Sequence, residues 1–208
     1  MIVPSSNTVL EPVTAKMAAP LDGRVSCHFA RIKVTEISLS GGAKAQFARE
    51  PVVAAARQLA EAQCDVIAWN GTSASFLGLD KDEALVEAIE GATGIAATTT
   101  SLCFREAYRR LSVKRLGLVT PYLSEIQERD IANYRAEGIE VVADRRLEDK
   151  GNFTFALYSA DFVAGLIREA AEARPDAIAI VCTNFRGADQ VARLEAELGL
   201  PVITELRA

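Results

Sequence analysis

Two apolar runs that end abruptly in small and hydroxylated residues constrain the fold of this 208-residue chain more than any other feature. The first, IAWNGTSASF, begins at Ile67, and the second, IAIVCTNFRG, begins at Ile178. Aligning them places the segment 71–73 (Gly-Thr-Ser) over the segment 182–184 (Cys-Thr-Asn). Short continuous apolar runs are typical of strands in a parallel sheet that helices cover on both faces. The two runs therefore predict an α/β fold in which one half of the chain repeats the other.

The pattern along the rest of the chain supports such a repeat, because short β-rich segments alternate with helical patterns and favour right-handed crossovers. We predict strands at 1–3, 25–32, 65–70, 94–97, 115–120, 138–143, 177–182 and 202–203, and helices at 51–63, 80–91, 100–111, 123–137, 159–173 and 187–198. The fold class that follows is α/β with two pseudo-symmetric lobes, each a mainly parallel sheet flanked by helices. The approximate lobes are 1–97 and 98–208, with the option that an element is exchanged between them.

Ligands of parallel sheets bind beyond the carboxyl ends of the strands, so we expect the site in a cleft between the lobes. Four loops would meet there, carrying Pro4, Ser5, Ser6 and Asn7; Gly71, Thr72 and Ser73; Thr120 and Tyr122; and Cys182, Thr183 and Asn184. Hydroxyls, amides and backbone N–H groups without any carboxylate suit an anion with several oxygens. Each of these residues could also simply cap a helix or close a turn. The segment 34–51 and its counterpart 145–157 are less regular, and both a lid over the cleft and a plain surface connection are open interpretations.

Charge and composition argue against several classes of partner and cofactor. The chain has 23 basic and 28 acidic residues and a net charge of −5, which is unlike a nucleic-acid-binding protein. It has no apolar run of roughly 18 residues and no visible signal peptide, so we expect a cytoplasmic protein without a membrane partner. Four cysteines and one histidine lack metal-site spacing, and phosphate-binding or dinucleotide-binding glycine motifs are missing. We therefore expect no metal and no cofactor.

Cys182 is the candidate reactive residue. It ends a buried strand and precedes a predicted helix, where the helix dipole favours a thiolate. It could exchange a proton with a carbon next to a carboxylate, or attack an electrophilic alkene. A buried structural cysteine is the alternative.

Four motifs, VPSSNTVLEP, GTSAS, VTPY and CTNFRG, resemble the maleate cis-trans isomerase and arylmalonate decarboxylase group of the aspartate/glutamate racemase superfamily. The resemblance covers nearly the whole chain, with the motifs in the expected order. It implies a pseudo-symmetric fold, cofactor-independent chemistry through an enolate-like intermediate, and a homo-oligomer. Relatives generally continue with another loop and a helix beyond the final strand, so we expect a shortened C-terminal end here.

The resemblance also bears on the mismatch between Gly71 and Cys182. Racemases and maleate isomerases of this superfamily typically carry one cysteine from each half, whereas arylmalonate decarboxylases keep only the second. The pattern here implies a decarboxylase in which Cys182 protonates an enediolate and Thr72, Ser73 and Tyr122 hold it. We also expect Pro4, Ser5, Gly71 and Thr183 to bind the substrate. The motifs that contain Asn7 and Asn184 resemble those of the isomerase subgroup, in which the two asparagines would bind substrate carboxylates. The substrate is expected to be a small carboxylate or dicarboxylate. A maleate isomerase or racemase is an alternative, and a non-catalytic carboxylate-binding protein is another.

Overall fold

The structure, a computed structural model, describes residues 1–204 apart from the side chain of Lys44. Within this range the strands are β1 (Ile2–Pro4), β2 (Ala30–Ile32), β3 (Val66–Trp69), β4 (Ala96–Thr99), β5 (Arg115–Val119), β6 (Glu140–Arg145), β7 (Ala177–Ile180) and β8 (Val202–Thr204). The α-helices are α1 (Leu10–Ala18), α2 (Gly41–Ala45), α3 (Arg49–Ala60), α4 (Ala74–Leu77), α5 (Leu79–Thr93), α6 (Thr100–Arg110), α7 (Ser124–Ala136), α8 (Ala160–Ala171) and α9 (Val191–Leu198). Short 3₁₀ helices occupy Ala19–Leu21, Thr154–Leu157 and Ala188–Gln190.

The strands form two four-stranded sheets with the same order, β2-β1-β3-β4 in the first and β6-β5-β7-β8 in the second. Every strand pair in both sheets is parallel. The predicted fold class, with two parallel sheets flanked by helices, is confirmed. Strand β4 runs through the expected boundary between residues 97 and 98, and the division of the chain into two lobes stays a prediction.

The central strands explain why the sequence folds in this way. Strand β7 is fully buried along its length, as expected of an apolar run covered by helices on both faces. In each sheet the two central strands are the first and third of that half, β1 beside β3 and β5 beside β7. The chain leaves these neighbouring strands in opposite directions, so their carboxyl ends flank a crevice.

Some element boundaries differ from those expected. Of the strand predicted at 25–32, only Ala30–Ile32 is formed, because β1 offers just three residues for pairing. Helix α1 was not expected, since the motif that begins it was interpreted as a loop. The side-chain oxygen of Asn7 accepts hydrogen bonds from the N–H groups of Val9 and Leu10, which satisfies donors that the first turn leaves unpaired. Pro12 falls within that first turn, where its missing N–H costs nothing.

The two less regular segments meet each other over the carboxyl ends of the strands. Ile37 donates a backbone hydrogen bond to the carbonyl of Lys150 (2.9 Å), and Glu36 pairs with Gly151 in an isolated antiparallel bridge. Asn152 N–H in turn reaches the carbonyl of Thr35 (3.3 Å). We call the segments 34–48 and 149–157 together the cover.

Within residues 1–204, no helix combines the length and the apolar character needed to cross a bilayer. The expectation of a shortened C-terminal end concerns residues 205–208 and what would follow them, outside the described part of the chain.

Candidate active site

Loops from all four central strands line one small cavity, as expected from the parallel topology. Pro4 is the last residue of β1, and Gly71, Thr72 and Ser73 follow β3. The other half contributes residues that follow β5 and β7. Six of the expected site residues line the cavity with Pro4, namely Gly71, Thr72, Ser73, Tyr122, Cys182 and Thr183.

The rest of the cavity wall consists of residues that were not named as site residues from the sequence. It consists of Phe76 from α4 and four cover residues, Val34, Ile37, Phe47 and Asn152. The irregular composition of 34–51 and 145–157 leaves a lid over the cleft as one of two interpretations, and these four residues of the two segments do line the cavity. Nothing in the sequence marks Phe76. Aromatic and branched apolar side chains thus close a site whose floor is polar.

The cavity is small and carries no charged side chain among the described residues that line it. Its volume is about 20 Å³, which is room for about one water molecule. This space is too small for a dicarboxylate unless part of the wall moves. Within residues 1–204 no group of three or more His, Cys, Asp and Glu side chains is placed to hold a metal ion.

Cys182 follows β7 by two residues and faces this cavity, with only 2% of its surface exposed. Cys27, Cys64 and Cys103 are partly exposed and none of them lines it. The four cysteines therefore differ in environment, and the one at the expected position is the one inside the cavity.

Tyr122 is held in a fixed position above the loop after β3. Its hydroxyl oxygen lies 2.8 Å from Thr72 Oγ1 and shares a hydrogen bond with it. Its ring meets Phe76 and Phe155 edge-on, with centroid distances of 6.3 and 5.8 Å. This packing places two hydroxyls next to each other in the cavity wall, and preorganised hydroxyl donors of this kind can stabilise an oxyanion.

Gly71 lies against the indole of Trp69, which is 2% exposed. A Cβ atom built on Gly71 would lie 2.2 Å from Cζ2 and 2.5 Å from Cε2 of that ring. Carbon atoms in contact are normally 3.5–4.0 Å apart, so no side chain fits unless the indole moves. The position opposite Cys182 in the repeat is thus filled by the ring of Trp69.

Three expected substrate-binding residues lie outside the cavity wall. Ser5 is exposed and its Oγ accepts from the N–H of Val34 (3.2 Å). Asn7 caps α1 through its oxygen and donates from Nδ2 to Thr183 Oγ1 (2.9 Å). Asn7 therefore contacts the cavity only through Thr183.

Asn184 is fully buried and joins the two halves of the chain. Its Oδ1 accepts from the N–H groups of Thr8 (2.9 Å) and Val9 (3.2 Å), and its Nδ2 donates to the carbonyl of Asn152 (2.6 Å). The amide thus connects the start of α1, the loop after Cys182 and the cover. Whether Ser5, Asn7 and Asn184 also bind substrate stays a prediction.

Two carboxyl groups are buried although the sequence did not predict it, because acidic residues on helices usually face solvent. Asp130 on α7 is fully buried, and burial raises its pKa to about 8, with Ser75 nearby opposing the shift. Burial also raises the pKa of Asp82 on α5 to about 6, against the lowering effect of the Thr99 and Ser101 hydroxyls. Neither side chain lines the cavity of Cys182.

Comparison with known proteins shows that this chain is similar to enzymes of two different activities. The profile of the arylmalonate decarboxylase family matches residues 20–208. Arylmalonate decarboxylase of Bordetella bronchiseptica is 32% identical over 158 residues, which cover 74% of this chain and 66% of that enzyme. Maleate isomerase of Nocardia farcinica is 26% identical over 216 aligned positions, covering 100% of this chain and 85% of the isomerase. The crystal structure of the maleate isomerase Iso from Pseudomonas putida S16 superposes with a TM-score of 0.88 at 26% identity, over 99% of this chain and 86% of the other.

Proposed function

This chain belongs to the arylmalonate decarboxylase family, and on that premise we propose that it removes CO2 from a small malonate-type dicarboxylate without a cofactor. The matched decarboxylase is a lyase and the matched isomerase acts on maleate, as their names state. Both names support a carboxylate substrate for the cavity of Cys182. A malonate with a substituent on its central carbon fits the family and the chemistry of the wall.

The reaction begins with cleavage of the bond between the central carbon and one carboxylate. That carboxylate leaves as CO2, and the electron pair of the broken bond stays behind as an enediolate. Next to the apolar side chains of Val34, Ile37 and Phe47 a carboxylate loses hydration, which favours its departure as neutral CO2.

The second step returns a proton to the central carbon. The hydroxyls of Thr72, Ser73 and Tyr122 hold the two oxygens of the enediolate, since donors aimed at developing charge stabilise it most in a closed cavity. Cys182 gives its S–H proton to one face of the carbon, and the thiolate then recovers a proton from water.

One observation carries the choice of a decarboxylase, namely the filled position at Gly71. Two-thiol chemistry would need a second sulfur facing Cys182, and the indole of Trp69 occupies the space where even a Cβ would lie. Proton delivery from Cys182 alone needs no second thiol. The proposal therefore accounts for both the presence of Cys182 and the contact between Gly71 and Trp69.

Proton NMR in D2O tests the proposal with phenylmalonate, methylmalonate and maleate as substrates. We expect one of the malonates to lose CO2 and to gain one deuterium on its central carbon. Cys182→Ser should abolish this turnover, while Cys103→Ser, a cysteine outside the cavity, should retain it. Full turnover by Cys182→Ser would contradict the role of the thiol, and no reaction with either malonate would contradict the proposed substrates.

Maleate isomerisation is the second candidate, because the maleate isomerase match extends over the whole chain. The same NMR experiment distinguishes the two functions. Conversion of maleate to fumarate, with malonates untouched, would support the isomerase and would mean that one thiol suffices.

A further inference from the structure

A second cavity lies on the far side of the loop that follows β3, between helices α4, α5, α6 and α7. Its volume is about 170 Å³, compared with about 20 Å³ for the cavity of Cys182. Thr72 belongs to the walls of both. We propose that this cavity, which we call the rear cavity, is a binding site for a small neutral aromatic molecule with one hydroxyl group, of the phenol class.

The size and the wall of the rear cavity support an aromatic ligand. An engineered apolar cavity of about 150 Å³ in another protein is large enough to bind benzene. The rear cavity has Phe104, Tyr108 and Tyr134 on its wall together with the aliphatic side chains of Leu79 and Val181. The ring centroids of Phe104 and Tyr108, and of Tyr108 and Tyr134, are each 5.7 Å apart. Rings presented at such angles pack favourably against the edge or face of another ring.

One buried hydroxyl that lacks a hydrogen-bond partner, that of Ser101, sets the polar requirement for the ligand. Ser101 lines the rear cavity, is 5% exposed, and its Oγ has no hydrogen-bond partner of normal geometry among the described residues. Asp82 lies close enough for Ser101 to lower its pKa, but not in a geometry that satisfies the serine oxygen. A buried polar atom without a partner is costly, so a ligand hydroxyl that pairs with Ser101 would be favoured.

The charges at the mouth favour a neutral ligand over an anion. Arg105 lines the mouth but is paired with Glu83 (2.8 Å), and Glu137 lies on the same wall. An approaching carboxylate would thus meet a neutralised cation and a second acid. This distinguishes the rear cavity from the cavity of Cys182, and the inference does not rest on the proposed function.

Fluorine NMR with 4-fluorophenol and fluorobenzene as probes tests the inference on the intact chain. We expect saturable binding of 4-fluorophenol to the wild type, and loss of binding in Ser101→Leu, which fills the rear cavity. Because Ser101 is buried and this variant could misfold, Ala136→Trp provides a second block from the exposed mouth. Ala132→Trp, an exposed position on the same helix that does not line the rear cavity, is the matched control and should bind as the wild type does.

The hydroxyl is tested separately with Ser101→Ala. Its affinity for 4-fluorophenol should fall by about two- to ten-fold, the value of one net hydrogen bond, while its affinity for fluorobenzene stays the same. Equal changes for both probes would overturn the assignment of Ser101. Absence of saturation by 4-fluorophenol, or unchanged binding in every folded blocking variant, would overturn the site itself.

Discussion

The contact between Gly71 and Trp69 predicts that even a methyl group at position 71 destabilises the protein. The added Cβ would lie 2.2 Å from Cζ2 of the indole, about 1.3–1.8 Å closer than the 3.5–4.0 Å at which carbon atoms in contact normally lie. Since Trp69 is buried in the core, its ring can move only by displacing other packed side chains. Overpacking of this kind costs about 1–3 kcal/mol, so we expect Gly71→Ala to lower the free energy of unfolding by that amount.

Urea denaturation followed by circular dichroism measures this loss. Gly91→Ala is the matched control, because a Cβ at Gly91 in helix α5 meets no atom within 4 Å. That substitution should stabilise the protein by about 0.5–1 kcal/mol, since alanine favours a helix over glycine. A free energy of unfolding for Gly71→Ala within about 0.5 kcal/mol of the wild-type value would refute the reasoning. Substitutions that disturb no contact usually change the free energy of unfolding by no more than this.

A double-mutant cycle assigns the loss to the indole. Trp69→Phe removes the atoms that the new Cβ would meet, so Gly71→Ala should cost at least about 1 kcal/mol less in that background. Unfolding of all the variants is followed by circular dichroism and not by tryptophan fluorescence, because Trp69→Phe removes the only tryptophan of the chain. Equal costs in both backgrounds would mean that the destabilisation arises from the backbone and not from the ring.

Three further predictions follow from burial and hydrogen bonding. Between about pH 5 and pH 8 the folded state keeps a proton on Asp130 that the unfolded state releases, so stability should fall as the pH rises, by up to about 1.4 kcal/mol per pH unit. In urea titrations across this range, Asp130→Asn should show a shallower dependence, whereas the exposed control Glu128→Gln should keep the wild-type slope. Asn184→Ala leaves the N–H of Thr8 and the carbonyl of Asn152 without their partner, whereas the N–H of Val9 keeps its bond to Asn7. The substitution should lower the free energy of unfolding by about 2–3 kcal/mol, and a loss below about 0.5 kcal/mol in urea titrations would argue against this network. Phe47→Ala should open the cover and speed alkylation of Cys182 by iodoacetamide several-fold, measured by mass spectrometry with the other cysteines changed to serine; an unchanged rate would mean that the cover does not control access.

The sheets and the central loops could be predicted because they depend on local pattern. Continuous apolar runs such as the one that forms β7 have few folds available to them, and parallel pairing then brings the loop residues to one crevice. The residues Gly71, Thr72, Tyr122 and Cys182 reach the cavity wall for that reason. Their position follows from the ends of strands and needs no knowledge of side-chain packing.

The remainder of the site depends on contacts between distant segments, which no local pattern reveals. The amide of Asn184 can bind a carboxylate or cap a helix equally well, and only the position of α1 shows that it contacts the N–H groups of Thr8 and Val9. Helical periodicity likewise marks Asp130 as a surface residue, although α4 and its neighbours bury it. The cover forms through pairing of residues more than 100 positions apart, such as Glu36 and Gly151.

The position of Trp69 gives a structural reason for the glycine at position 71, where two-cysteine relatives would carry their first cysteine. If Gly71 faced open space, a thiol could be added there by one substitution, and the two halves of the site would differ only in chemistry. The indole instead occupies that space, so Gly71→Cys must displace a core residue before its sulfur can face Cys182. We therefore expect Gly71→Cys alone to lose stability without gaining two-thiol chemistry, and Gly71→Cys combined with a smaller residue at position 69 to be the minimum change. The two halves of the chain thus differ in the packing of Trp69 against the loop after β3 as much as in the glycine at position 71 of that loop.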